Sequence, residues 1–151
     1  MAAEHGSVTT RPAVTPSLAP ASLEDTGAFL RAAGLVFDEI TGDQVTGHLD
    51  LSPDHHTPWG IVHGGVYAAI AETLASQGTA MGVRPEGRVP LGMSNLTSFL
   101  RPVSEGSVHG EATAIHRGRT TWVWDVQMRD DDGRLCATSR VTIAVRDEQP
   151  R

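Results

Sequence analysis

A histidine followed by two glycines, His63-Gly64-Gly65, precedes a stretch of apolar and small residues with helical spacing. The first backbone N–H groups of a helix have no partner within the helix, and glycine leaves the approach to them open. The positive end of the helix dipole adds to these groups, so the pattern predicts a site that stabilises a carbonyl oxygen gaining negative charge. An ordinary glycine-rich helix start is the alternative.

Glu72 is the second residue that indicates chemistry, eight positions after Gly64. A carboxylate among small residues lies where a second helix could pack closely, and there it could act as a general base or a nucleophile. A solvated surface charge is the alternative. The small residues at neighbouring helical positions are Ala68, Ala71, Ala75, Ser76 and Thr79.

The spacing of Gly64 and Glu72 predicts how the site is assembled. Eight residues of α-helix separate two groups by roughly 12 Å along the axis and by about 80° around it. One chain therefore cannot bring both groups to a single carbonyl. Antiparallel helices related by a two-fold axis would place Glu72 of one copy opposite Gly64 of the other, which gives two equivalent shared sites in a dimer.

The rest of the sequence predicts the elements that position these residues. An arm over 1–22, rich in Pro, Ala, Ser and Thr, precedes a short helix that carries Phe29 and Leu30, is capped by Ser22 or Asp25, and ends at Gly34. A hairpin turn is expected over 130–133. Strands are expected over 35–40, 45–51, 89–100, 106–116, 120–129 and 134–145, with a long helix over 64–81 whose core face follows Val66, Ile70, Thr73, Leu74, Gln77 and Met81.

Two strands, one long helix and four further strands predict an α+β fold in which an antiparallel sheet wraps round the helix. The length of 151 residues fits a single domain, expected over 23–147 and followed by a tail over 148–151. One helix cannot cover both faces of a sheet of such long strands. A dimer, or a dimer of dimers, is therefore expected.

Composition argues against several classes of protein. Lys and Arg total 12, all of them Arg, and the net charge of −6 argues against nucleic acid as a partner. The longest apolar segment is interrupted by Glu72, Gln77 and glycines, so no membrane span is expected. The single Cys136 excludes an intramolecular disulfide and, together with the lack of a signal-peptide pattern, favours the cytoplasm.

No metal site is expected. Asp54, His55, His56 and His63 form a cluster in the sequence, but adjacent histidines of one loop rarely face a single ion. The paired cysteine or histidine motifs of metal sites do not accompany them. The glycine-flanked serine of the α/β-hydrolase elbow is also missing from the sequence.

Four stretches of the chain resemble a known family: His56–Gly65, Ala71-Glu72, Asn95–Pro102 and Gly118–Asp125. Together they resemble the hotdog-fold acyl-CoA thioesterases, and within these the branch of the Glu-dependent 4-hydroxybenzoyl-CoA thioesterase and its phenylacetate-pathway relatives. The similarity extends over about 35–146. It implies a hotdog fold and thioester hydrolysis without a cofactor.

The resemblance also implies roles for single residues. Glu72 matches the catalytic carboxylate, Gly64 the N–H that polarises the thioester carbonyl, His63 the residue that orients this region, and Ser76 a hydroxyl one turn beyond the carboxylate. Relatives often carry glutamine where Thr57 stands, so an amide donor to the thioester oxygen is missing here. The residues expected to contact substrate or CoA are Thr57, Gly65, Gly92, Met93, Ser94, Arg101, Arg117, Gly118, Arg119, Thr120 and Thr121.

The expected function is hydrolysis of an acyl-CoA to the free acid and CoA. The acyl group is expected to be aromatic, of the hydroxybenzoyl or phenylacetyl type, or medium-chain. A non-catalytic acyl-CoA-binding protein, acting as a sensor or scaffold, is the alternative, and a hotdog hydratase or dehydratase with a different His and Asp arrangement is a third. The expected partners are the acyl-CoA and further copies of the chain, in a homodimer or homotetramer with shared sites.

Overall fold

The computed structural model describes residues 27–148. The predicted arm over 1–22, the two candidate capping residues Ser22 and Asp25, and all but the first residue of the tail over 148–151 lie outside the described residues. Two short 3-10 turns, Pro53–His55 and Arg84–Glu86, accompany the main elements. These are α1 (Gly27–Ala33), β1 (Leu35–Ile40), β2 (Gln44–Asp50), α2 (Gly64–Val83), β3 (Arg88–Phe99), β4 (Ser107–Arg117), β5 (Thr121–Arg129) and β6 (Leu135–Asp147).

One antiparallel sheet holds all six strands in the order β1-β2-β4-β5-β6-β3. β1 and β3 are its edge strands, and α2 packs against the same sheet. Each predicted strand is confirmed with its bounds shifted by two residues or fewer, because alternation of apolar and polar residues gives a strong signal in a sheet with one buried face. The predicted α+β architecture is therefore confirmed. None of the helices over 27–148 is long and apolar enough to cross a membrane.

Close packing of α2 on the sheet depends on two glycines in the helix. A methyl group on Gly78 would overlap the indole ring of Trp124, and one on Gly82 would overlap that of Trp122. The two indole rings lie side by side with their centroids 6.1 Å apart. Trp124 is fully buried, and its Nε1 donates a hydrogen bond of 2.8 Å to Thr79 Oγ1. Two aromatic rings of the sheet therefore pack directly against the helix backbone.

The core face of α2 differs from the predicted one. Val66 and Gln77 are only half-buried, and Met81 is 37% exposed. The sheet curves round α2, so small residues of the helix pack against the sheet as closely as large ones do. The size of the side chains therefore did not indicate which side of α2 is buried. The buried residues of the helix are Tyr67, Ile70, Ala71, Thr73, Leu74, Ala75, Gly78, Thr79, Ala80 and Val83.

The predicted hairpin turn between β5 and β6 is confirmed. Asp130 Oδ1 accepts hydrogen bonds from the backbone N–H groups of Asp132 at 3.1 Å and Arg134 at 2.9 Å, and Gly133 has a φ of 75°. Desolvation acts to raise the pKa of Asp130, but the hydrogen bonds and the charge of Arg134 outweigh it, and the pKa lies below its usual value. The end of α1 at Gly34, which has a φ of 76°, is confirmed as well.

Replacing Thr79 by valine should destabilise the protein, because the isosteric change leaves the buried Trp124 N–H without an acceptor. We expect a loss of roughly 1 to 3 kcal/mol in the free energy of unfolding, measured by urea denaturation. Thr73→Val is the matched control. Thr73 Oγ1 donates only to the Ala69 carbonyl of its own helix, at 2.7 Å, so this change should cost at most about 0.5 kcal/mol. Equal losses in the two variants would contradict the role given to the indole N–H.

Candidate active site

His63 caps the start of α2 and leaves one N–H unused. Its Nδ1 accepts a hydrogen bond of 2.9 Å from the Gly65 N–H, and its carbonyl accepts one of 2.9 Å from the Val66 N–H. The Gly64 N–H has no hydrogen-bond partner among the residues that the structure describes. The capped helix therefore presents one backbone donor at its positive end, on a residue without a side chain.

An aromatic side chain lies against the residue that carries this donor. A Cβ atom on Gly64 would lie 2.7 Å from Cζ of Phe99, at the end of β3, so the phenyl ring lies directly against the glycine. The ring of Tyr67 is 6.0 Å from that of Phe99. Burial raises the pKa of Tyr67 to about 12, with smaller contributions from Cys136 and Asp130, so the phenol is protonated at neutral pH.

Glu72 lies against the same strand at Gly92, the fifth residue of β3. A Cβ atom on Gly92 would lie 2.8 Å from Glu72 Oε1. The pairing of β3 with β6 shifts between Gly92 and Ser94, so Met93 is the extra residue of a β-bulge. The predicted contact residues Gly92, Met93 and Ser94 are therefore brought together beside the carboxylate.

The surroundings of Glu72 in the single chain are open. Its side chain is exposed, and no hydrogen bond or ion pair engages its carboxylate within 27–148. Enclosure by a second helix, which the small neighbouring residues predict, is not provided by this chain alone. Glu72 and half-buried Ser76 line a cavity of about 380 Å³ together with Phe29 and Leu30 of α1.

Gly64 and Glu72 are far apart in one chain, in agreement with the spacing of the sequence. Both residues lie on one unbroken helix, α2, and are eight residues apart. Eight residues of α-helix rise roughly 12 Å along the axis. The N–H donor and the carboxylate therefore cannot meet one carbonyl group within a single copy.

Asn95 ties β3 to α2 between these two contacts, and the sequence analysis gave it no role of its own. Its Nδ2 donates a hydrogen bond of 2.9 Å to the carbonyl of Ala68, one turn before Glu72. Its Oδ1 accepts bonds from Thr97 Oγ1 at 2.7 Å and from Ser139 Oγ at 2.8 Å. The sequence offered one signal for this role, a polar residue within a strand. Only the structure shows that all the side-chain polar atoms of Asn95 have partners.

Thr57 belongs to the turn that leads into α2. Its hydroxyl accepts a bond of 3.3 Å from the Trp59 N–H, and its carbonyl accepts one of 2.9 Å from the Gly60 N–H. Its own N–H donates to the Ile61 carbonyl at 2.7 Å. The polar groups of Thr57 thus shape this turn, at whose tip Trp59 is 83% exposed.

The residues expected at the nucleotide of CoA lie at the far end of α2. Arg117, Gly118 and Arg119 line a surface cavity of about 430 Å³ with Gly82 and Trp122. The Arg117 guanidinium lies 4.6 Å from the centre of the Trp122 ring and pairs with Asp43.

The remaining predicted contact residues are dispersed around the sheet. The Thr120 carbonyl accepts a bond of 2.9 Å from the Val145 N–H, and Thr121 begins β5. Arg101 lies after β3, where its N–H donates to the Cys136 carbonyl at 3.1 Å. Arg88, which the sequence analysis missed, lines the cavity of Arg117 and donates to the Arg119 carbonyl.

Two further polar atoms in the described part of the chain are buried without a partner, His56 Nε2 and the Tyr67 hydroxyl. No group of three or more His, Cys, Asp and Glu side chains within 27–148 is placed to hold a metal ion.

Comparison with known proteins places the chain in a family. The sequence model of the Thioesterase superfamily matches residues 60–137. The proofreading thioesterase EntH of Cronobacter sakazakii is 33% identical over 119 residues, which are 79% of this chain and 86% of EntH. The chain therefore belongs to the thioesterase superfamily, and its class is that of the thioester hydrolases.

Solved structures agree with this assignment. The structure of Rv1847/MT1895 from Mycobacterium tuberculosis has a TM-score of 0.78 and 36% identity, and the match covers 81% of this chain and 98% of that one. SAV0944 from Staphylococcus aureus has been solved in two variants, in which a glutamine or a glutamate is replaced by alanine. Both have a TM-score of 0.75 and 28% identity, over 78% of this chain and 98% of theirs. The expected hotdog fold is confirmed.

Replacing His63 tests whether it acts as the helix cap. His63→Ala removes the acceptor of the Gly65 N–H, and we expect the free energy of unfolding to fall by roughly 0.5 to 2 kcal/mol in urea denaturation. Asparagine is itself a good capping residue, so His63→Asn should retain most of the stability. Equal stability of His63→Ala and the parent protein would contradict the capping role.

Proposed function

We propose that the protein hydrolyses acyl-CoA thioesters to the free acid and CoA, with Glu72 as the catalytic carboxylate. The observation that carries this proposal is the unpaired carboxylate beside the bulge of β3, on a chain of the thioesterase superfamily. A carboxylate without a partner is free to take a proton or to attack a carbonyl carbon.

Two routes are open to Glu72. As a general base it takes a proton from water while the water oxygen attacks the thioester carbon. As a nucleophile it forms an anhydride that water then cleaves. In both routes the C–S bond breaks and CoA leaves as a thiolate, which takes up a proton. The Gly64 N–H donates to the carbonyl oxygen, which becomes negatively charged when the carbon turns tetrahedral.

We propose that two copies of the chain share each site through the free edge of β3. Leu91, Met93 and Leu96 on this edge are 46%, 61% and 73% exposed, which is unusual for large apolar side chains on a sheet edge. Antiparallel pairing of β3 with its copy about a two-fold axis between Asn95 and Leu96 would set Gly92 opposite Phe99. Glu72 of one copy would then lie beside Gly64 of the other, and each dimer would contain two complete sites.

The two variants of SAV0944 support the choice of Glu72. The glutamine and the glutamate replaced in that protein are separated by the same number of residues as Thr57 and Glu72. The glutamate then matches Glu72 and the glutamine matches Thr57. The threonine hydroxyl reaches less far than a glutamine amide and is held near the Trp59 N–H, from which it accepts a bond, so this chain relies on the Gly64 N–H more heavily than a relative with an amide at that position.

The CoA part of the substrate is proposed to follow the bulge of β3. Gly92, Met93 and Ser94 would contact the pantetheine arm, and Arg117 and Arg119 the phosphates at the end of α2. Gly65, Gly118, Thr120, Thr121 and Arg101 are further proposed contacts. The acyl group is proposed to be aromatic or medium-chain, as in the 4-hydroxybenzoyl and phenylacetate branch, and the proposed compartment is the cytoplasm.

The loss of an amide donor at Thr57 favours one other candidate function. A chain that binds acyl-CoA without cleaving it, as a sensor or scaffold, would tolerate a weaker site for the thioester oxygen. Release of free thiol from a panel of acyl-CoAs separates the two functions, because only hydrolysis yields CoA.

Glu72→Gln should lower kcat on the best acyl-CoA by about 100-fold or more, since the amide keeps the shape of the side chain but neither takes a proton nor attacks a carbonyl. Thiol release measures the rate, and calorimetric titration with CoA should show that binding persists. Glu39→Gln on β1 is the control and should retain full turnover. A Glu72→Gln variant with the turnover of the parent would refute the proposed role.

Mixing two inactive variants tests the shared site. Gly64→Pro removes the proposed donor, and the backbone suits proline at the first position of a helix because His63 before it is extended. The proline Cβ must displace the ring of Phe99, which is 58% exposed, so circular dichroism is used to check that the variant folds. A heterodimer of Glu72→Gln with Gly64→Pro should recover one intact site and about half the activity of the parent dimer. A heterodimer that forms, as mass spectrometry can establish, and stays inactive would count against sites shared between copies.

A further inference from the structure

A second cavity lies beneath α1, next to the start of α2. Its volume is about 450 Å³. Its walls are mainly apolar, from α1, the first two strands and α2: Phe29, Leu30, Leu35, Leu49, Val66 and Ile70. His63 and Gly65 also line it, so the cavity opens beside the residue that carries the unused N–H.

Four polar residues also line the cavity, Asp54, His55, His56 and His63, and of these His56 has a buried ring nitrogen, Nε2, without a partner within 27–148. The rings of His55 and His63 are hydrogen-bonded within the protein. His55 Nδ1 accepts a bond of 2.9 Å from the Ser52 N–H, and its Nε2 donates one of 2.9 Å to the carbonyl of Ala33. His63 Nδ1 is used by the Gly65 N–H. Most of the wall is apolar, so a ligand there contacts mainly hydrocarbon, with Asp54 and the unpaired His56 Nε2 as the polar groups that no described residue engages. The bond from His55 to the Ala33 carbonyl holds the end of α1 beside the cavity.

We propose that this cavity binds the acyl group of the thioester and that Phe29 and Leu30 set its size. The inference rests on the proposed function, which places the carbonyl at Gly64. From there the substrate extends in two directions, and only the acyl part suits an enclosed apolar space, because the phosphates of CoA need water or cations. The occupant is thus an uncharged aromatic or medium-length aliphatic acyl group.

The dimensions agree with this occupant. An apolar cavity of about 150 Å³ is known to hold benzene. The space beneath α1 is about 450 Å³, enough for a substituted ring or a medium-length chain. Leu49 and Ile70, each 1% exposed, line it as side chains of the core, so this part of the wall is fixed by the packing of the sheet and α2.

Residues of α1 also line the cavity that contains Glu72. Phe29, Leu30 and Ala69 line the cavity beneath α1 and also the smaller cavity of Glu72 and Ser76. Phe29 is 71% exposed, so its ring can be changed with little effect on the core. α1 is therefore a determinant of acyl specificity that lies outside the matched residues 60–137 of the family.

Two substitutions with opposite effects test the proposal. Phe29→Ala enlarges the space and Leu30→Trp fills it, so the ratio of kcat/KM for long against short acyl-CoAs should rise in the first variant and fall in the second. We expect changes of about 10-fold or more, the size of effect that one methylene group has in an apolar pocket. Arg31→Ala on the same helix is the matched control, since Arg31 lines neither cavity, and it should leave the ratio unchanged.

The outcomes separate this inference from the proposed function. A parent protein that hydrolyses acyl-CoAs, with a chain-length ratio that neither variant moves, would overturn the inference alone. If the parent cleaves no thioester, the proposed function fails, and the ratio of Kd values for long and short acyl-CoAs, measured by calorimetry in the same variants, decides the inference. Variants that change only the association state would show that a second copy covers the cavity instead, which would also overturn it.

Discussion

The contact between α2 and the two tryptophans of β5 fixes the position of every other part of the site. Gly78 and Gly82 let Trp124 and Trp122 lie against the helix backbone, and the hydrogen bond from the Trp124 indole to Thr79 fixes the register of the helix on the sheet. A helix held at this distance cannot slide or rotate without clashes between rings and backbone. This contact therefore also fixes the positions of the Gly64 N–H at the start of α2 and of the Glu72 carboxylate near its middle.

The edge strand β3 contacts α2 at both of the residues proposed to act on the thioester. Phe99 lies against the start of α2, Asn95 bonds to its Ala68 carbonyl, and the bulge at Met93 places Gly92 beside Glu72. A bulge at a sheet edge interrupts regular pairing, and it is typically found next to active sites. The same strand has an unpaired edge with exposed apolar side chains, so one element both contacts the proposed catalytic residues and presents the surface proposed to pair with a second copy.

Separation of the donor and the carboxylate along one helix has a physical logic. The Gly64 N–H and the Glu72 carboxylate lie roughly 12 Å apart along α2, so the N–H does not hydrogen-bond to the carboxylate within a copy and both groups stay available to a substrate. In the proposed dimer, a two-fold axis between Asn95 and Leu96 brings each group opposite its complement. Association would then assemble the proposed site, and α1, whose Phe29 and Leu30 line both cavities beside α2, would shape the space proposed for the acyl group.

Local sequence patterns determined the elements of this protein. Alternating residues marked the strands, Gly34 marked the end of α1, and the His63-Gly64-Gly65 step marked the start of α2, because capping, turn and periodicity signals depend on residues close in the chain. The resemblance of the same segments to thioesterases indicated Glu72 before any geometry was known. The eight-residue spacing to Gly64 already required that one copy keep the two groups apart.

Only the tertiary structure decided which surfaces meet. The core side of α2 was mispredicted at Met81 because the curved sheet packs on small residues, which carry no hydrophobic signal. The bond of Asn95 to α2, the presence of Arg88 near Arg117 and the cavity beneath α1 all join segments distant in sequence. Such contacts depend on strand order and helix register, which no short window of residues encodes.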